Sequence, residues 1–148
     1  MKKYLFLMMI LCLILGCEET SPSSESTENT TLLTSRKWTV TRVELNTGNG
    51  WTDYTENCDL SIEERYLEEG SWERIQHSTR CTAIHLVASG QWTLEADQQT
   101  ISFYYQGNNY PHQVKIVGLD EEQLVIEEEA SQVNNARLRT YFQAIKVP

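Results

Sequence analysis

The chain has no Gly-x-Ser-x-Gly nucleophile turn, no His-Glu-x-x-His zinc helix and no glycine-rich phosphate loop. Its three histidines, His77, His85 and His112, stand alone in sequence. The acidic runs Glu63-Glu64, Glu68-Glu69, Asp120–Glu122 and Glu127–Glu129 fall at turns or on alternating faces, where charge is ordinarily solvated. A catalytic pair needs convergent, desolvated carboxylates. No enzyme and no cofactor are therefore expected. Basic charge is scarce as well, with 12 Lys and Arg against 21 Asp and Glu and a net charge of −9. That balance excludes binding to nucleic acid, which requires clustered Lys and Arg, and charge-driven adhesion to an anionic lipid surface. What the chain does have is aromatic residues, with four Trp and seven Tyr among 148 residues, too many for a disordered chain. The length fits one domain with a real core.

Long apolar runs are also missing, apart from one near the N-terminus. Tyr4–Leu15 is twelve residues, short of the roughly 20 that span a bilayer as helix, and it follows Met1-Lys2-Lys3. A basic start and a short apolar run form a secretory signal. The run ends in Ile14-Leu15-Gly16-Cys17, which resembles a bacterial lipobox. That resemblance implies cleavage after residue 16 and acylation of Cys17, with several acyl chains giving stable anchorage to the outer membrane. The alternatives are an incidental Cys17 after ordinary cleavage, or a true transmembrane helix. Glu18-Glu19 looks like the acidic stretch that marks surface-exposed lipoproteins of Bacteroidota, so either the cell surface or the periplasmic face is open. Residues 18–31 contain no large apolar side chain and read as a flexible tether, leaving 32–148 as the domain.

Cys12 leaves with the signal and Cys17 goes to lipid, so Cys58 and Cys81 remain as one pair in an oxidising compartment. A disulfide is the expectation, worth about 3 kcal/mol by chain entropy. A Cys2His2 metal site with His77 and His85 is the sharper alternative. Its spacing of four needs a helix, whereas Thr79, Thr82 and Ile84 favour strand or loop.

From Arg36 onward the hydrophobic period is two. Strands are expected over 36–45, 59–67, 71–77, 91–95, 100–105, 112–117, 123–128 and 136–145, with 82–87 a possible ninth. Hairpin turns are expected at Glu68-Glu69-Gly70, 96–99 and 118–122. No amphipathic helix is expected beyond a turn at Thr31–Thr34. A meander of eight antiparallel strands removes its edges by closing into an up-and-down barrel, with a two-sheet sandwich as the alternative.

Leu33 and Trp38 opening the first strand, Cys58 before a strand, Gly70-Ser-Trp72 at a hairpin and Cys81 before Gly90–Leu94 carry a further resemblance. With Val114–Leu119, Leu124–Ile126 and Thr140-Tyr-Phe142, they resemble the lipocalin-like domains of Bacteroidota lipoproteins over residues 32–146. The resemblance implies an antiparallel barrel, sometimes holding a small apolar molecule. Lipocalins proper carry a glycine where Arg36 stands, and a last-strand arginine stacked on the first-strand tryptophan, for which Arg137 and Arg139 are candidates.

Period-two arithmetic puts Trp38, Val40, Arg42 and Glu44 on one face, and Trp72 with Arg74 on another strand's face. Arg42, Glu44 and Arg74 would then line a mouth holding a polar head group, unless a bulge turns them to water. Trp51 and Tyr54, in the first long loop, would bind a ligand or plug the barrel end. A small apolar or amphipathic ligand in the barrel is the expected function. An envelope protein partner docked on exposed Tyr104, Tyr110 and Trp51 is the alternative.

Overall fold

The computed structural model describes residues 24–77, 88–105, 107–108, 110–130 and 135–146. Helix α1 spans Ser24–Thr34 and is followed by nine strands: β1 Arg36–Asn46, β2 Trp51–Asp53, β3 Ile62–Tyr66, β4 Ser71–Gln76, β5 Ala88–Leu94, β6 Thr100–Tyr105, β7 His112–Leu119, β8 Gln123–Glu129 and β9 Arg137–Lys146. Consecutive strands pair antiparallel from β3 to β9, β3 pairs with β1, and β1 pairs with β9 along its whole length. That last pairing closes eight strands into a barrel and excludes the two-sheet sandwich. The extra strand β2 occupies the stretch of β1 that β3 leaves unpaired, opposite Glu44–Asn46.

The expected strands all appear, with shifts at their ends. Residues 59–61 form a 3-10 turn rather than the start of β3. β5 begins at Ala88, and β7 runs on to Leu119 through an irregularity between Ile116 and Gly118. The Glu68–Gly70 turn forms as expected, with Gly70 at φ 83°, where a side chain would be strained. The stretch 82–87 lies outside the described residues.

Two expectations are overturned. The segment read as flexible tether up to residue 31 is helical from Ser24. This helix is held by its end: Leu33 is fully buried in the core, and its carbonyl accepts a hydrogen bond from Trp38 Nε1 at 3.1 Å. Asn29 Nδ2 donates to the Gln98 carbonyl at 3.1 Å, tying the helix to the β5–β6 turn. The second correction concerns β1. Its register against β9 shifts between Val40 and Arg42, a bulge at Thr41. One extra residue reverses the parity beyond it. Trp38 and Val40 face the interior, then Val43 and Leu45 do, and Arg42 and Glu44 lie on the outer wall opposite Tyr141 and Arg139.

The core fills one end of the barrel. Trp38, Val40, Tyr66, Trp72, Trp92, Ile101, Phe103, Val114, Ile116, Leu124, Ile126 and Phe142 are buried together, with Leu33 of α1 capping them. Tyr66 meets Trp92 edge-on at 5.2 Å, and Trp72 lies 4.7 Å from Phe103. At this end an eight-stranded barrel is filled by its own side chains. Among the described residues, no helix is long and apolar enough to cross a membrane.

Candidate functional site

The other end of the barrel is built differently. Strand pairing sets Arg74 of β4 opposite Glu64 of β3, both on the inward face with Trp72 and Tyr66. Glu64 is completely buried. Its Oε1 accepts hydrogen bonds from Arg74 Nε at 2.8 Å and from Arg74 Nη2, and its Oε2 accepts one from the Tyr66 hydroxyl at 2.9 Å. Burial, together with the Glu64 charge, holds the Tyr66 phenol far above the usual range, so it stays a proton donor. Burial pushes the Arg74 guanidinium down, but the adjacent Glu64 carboxylate more than offsets this, and its pKa rises.

Arg74 nevertheless leaves 38% of its side chain open to water, although it projects into the barrel. Among the described residues, the barrel is therefore open above it. Next to it stand half-buried Tyr105, whose ring meets Trp72 edge-on at 5.7 Å, and His112, 6.4 Å from Tyr105. His112 pairs with Phe103 across β6 and β7, and Glu128 pairs with Leu138 across β8 and β9, so both face inward. His112 Nε2 and Glu128 Oε2 are 2.6 Å apart. That hydrogen bond raises the imidazole pKa above its ordinary value against a smaller opposing effect of burial. Burial likewise raises the Tyr105 phenol. Above this polar layer, Val43, Leu45, Ile62 and Leu138 form a half-buried apolar collar. The ladder joining β7 to β8 starts at Lys115 and Glu127, and beyond it an open cleft of about 680 Å³ lets His112 and Glu128 be reached through the wall.

Of the residues expected to line a site, the structure places only two inside the barrel, and it pairs Arg42 with Glu44 at 3.5 Å outside it. Trp72 and Arg74 meet on the inner face, with the guanidinium 5.7 Å from the indole ring. Arg42, Glu44 and Trp51 belong to the outer wall. There Arg42 lies 4.0 Å over the Tyr141 ring, and the Tyr141 hydroxyl donates to Glu44 at 2.6 Å. Arg139 lies 3.9 Å over Trp51, held by Glu127 at 2.8 Å. The last-strand arginine thus stacks on Trp51 of β2, while Trp38 is covered by Leu33. Tyr54 follows β2 and is half exposed, its amide bonded to the Val43 carbonyl at 2.9 Å. It neither enters nor plugs the barrel among the described residues. Cys17 and Cys81 lie outside the described residues, as does His85. Cys58 directly precedes the 3-10 turn Asp59–Ser61.

The inward residues that sequence reasoning missed are Glu64, His112 and Glu128, whereas Tyr105 shares the inner face of Ile101 and Phe103 as its parity predicts. The Glu63-Glu64 run is not solvated: Glu63 is buried against Arg65 on the outside, and Glu64 lies inside. His112 is not a lone histidine. The signal for all three was parity, since Glu64 alternates with Tyr66, His112 with Val114 and Glu128 with Ile126. Among the described residues, no three His, Cys, Asp or Glu side chains converge so as to hold a metal ion. No family model matches the chain, and no curated protein matches it.

Proposed function

We propose that this chain is a lipid-anchored, lipocalin-like binding protein of the cell envelope, held to the outer membrane through Cys17. Its role is to take a small amphipathic ligand into the open half of its barrel. One observation carries this reading: a charged, hydrogen-bonded layer inside the barrel that water reaches from the open end. A buried ion pair is a poor source of stability, because desolvation cancels much of its attraction. A filled apolar interior, like that of the closed end, would fold more simply. A few placed polar groups over an apolar wall are what orient a bound small molecule.

The role is a non-enzymatic one. Glu64, the most buried carboxylate, has both oxygens occupied by Arg74 and Tyr66, which suits it to holding Arg74 in place rather than to moving protons. Cys58 and Cys81 are proposed to form a disulfide at the open end. In support, Gln76 at the end of β4 sits opposite Ile62, four residues after Cys58, and Cys81 follows Gln76 by five residues. That length of chain reaches back easily at about 3.4 Å per residue.

Native mass spectrometry of residues 18–148, purified gently from cells, tests the reading. A mass excess that disappears on denaturation is the expected result. A clean mass together with no saturable binding of a hydrophobic fluorescent probe contradicts it. The site would then have to be sought on the outer wall, where exposed Tyr54, Tyr104 and Tyr110 suit a protein partner.

A further inference from the structure

The ligand's polar end can be assigned from the hydrogen-bonding capacity left over in the open half of the barrel. Glu64 has spent both oxygens on Arg74 and Tyr66. Glu128 has given one oxygen to His112. The donors are less fully used. Arg74 bonds to Glu64 through Nε and Nη2, and its Nη1 makes no hydrogen bond to a described residue. Trp72 Nε1 is buried and has no partner, and a buried donor left unmade costs about 1–3 kcal/mol. The Tyr105 hydroxyl bonds to no described residue, and its phenol remains protonated because burial raises its pKa. These three donors lie together on the inner faces of β4 and β6, which flank β5: the Arg74 guanidinium is 5.7 Å from the Trp72 ring, and the Tyr105 ring is 5.7 Å from it as well.

We infer that the open half of the barrel binds a small molecule with an acidic head group, inserted head first. The head group sits on Arg74, Trp72 and Tyr105, and the apolar body lies in the collar of Val43, Leu45, Ile62 and Leu138. The inference rests on the proposed ligand-binding role and names the ligand class for that same site. Geometry sets the length. The collar rises about two residues of strand above Arg74, some 7 Å, so a short chain fits and a long one would protrude. Glu64 keeps Arg74 extended under the head group without competing as an acceptor. The aromatic plug below blocks deeper entry, and this is why the polar end and not the apolar end goes in first.

The test uses residues 18–148, which contain every described element, with octanoate, octanol and octylammonium as probes followed by calorimetry. Octanoate is expected to bind about tenfold or more tighter than octanol, the ratio of a charge-assisted hydrogen bond to a neutral one, and octylammonium more weakly than either. Trp72→Phe and Tyr105→Phe each keep the ring and remove one donor, and each should narrow the octanoate-to-octanol ratio by about threefold or more. Arg74→Gln should abolish the preference, and the two ring-preserving variants decide the matter if that protein does not fold. Equal affinity for octanoate and octanol, or tightest binding of octylammonium, overturns the acidic head group and leaves the binding role standing. A preference unchanged in both ring variants overturns the assigned location. Absence of saturable binding by all three probes overturns the binding role itself.

Discussion

The two ends of this barrel are made by the same strands but follow different rules. At the closed end, the buried core from Trp38 round to Phe142 is apolar or, in Tyr66, has its one polar atom bonded. Trp38 and Trp92 donate their indole protons to the carbonyls of Leu33 and Leu67, both at 3.1 Å. At the open end, inward positions on β3, β4, β7 and β8 carry Glu64, Arg74, His112 and Glu128. Trp72, at the boundary, has an indole proton with no partner. The closed end is therefore where stability is concentrated, and the open end gives up stability for polar groups that reach water.

Breaking the closed end should have the largest effect. Trp38→Ala removes a fully buried ring bonded to Leu33, and should lower stability by about 3–5 kcal/mol in urea denaturation. Leu33→Ala should cost about 2–4 kcal/mol and free α1 from the barrel, which would appear as faster amide exchange over Ser24–Thr34. Gly90→Ala tests the wall between the halves. A Cβ there would run into the Tyr104 carbonyl, so a loss of about 1–3 kcal/mol is expected by the same denaturation.

Open-end changes should matter less for stability. Arg74→Met strands Glu64 beside Tyr66 alone and should cost about 2 kcal/mol, below the figure for a fully buried pair because Arg74 is partly in water. The double change Glu64→Gln with Arg74→Met should recover most of that loss. The smallest effect should come from His112. Its raised pKa means that the stability from the Glu128 bond is fully present below about pH 6.5, the unfolded value, and is lost as pH rises through the folded value. Thermal melts from pH 6 to 9 should show this step, and His112→Gln should remove it.

Much of this was readable from the sequence because a strand period of two depends only on backbone geometry. The hairpin at Gly70 and the parity of Trp72 with Arg74 both appear in the barrel. Thr41 was not readable, because no residue type announces a bulge, and that single insertion moved Arg42 and Glu44 outside. The helical start at Ser24 was hidden for a different reason. Its residues have no apolar stripe, and its hold on the barrel comes from Leu33 and a contact 69 residues away. Glu64 and His112 were misjudged by composition, as acidic run and lone histidine, when alternation with Tyr66 and Val114 already placed them inside.

The four tryptophans occupy three different settings: Trp38 and Trp92 in the closed end, Trp51 on the outer wall and Trp72 beneath the polar layer. An indole proton–nitrogen correlation spectrum of residues 18–148 titrated with octanoate therefore reads the ligand's position directly. The account predicts a saturable shift of the Trp72 signal, moving toward a hydrogen-bonded value, with Trp38, Trp92 and Trp51 nearly still. A shift confined to Trp51, or four unmoved signals at saturating octanoate, would contradict it.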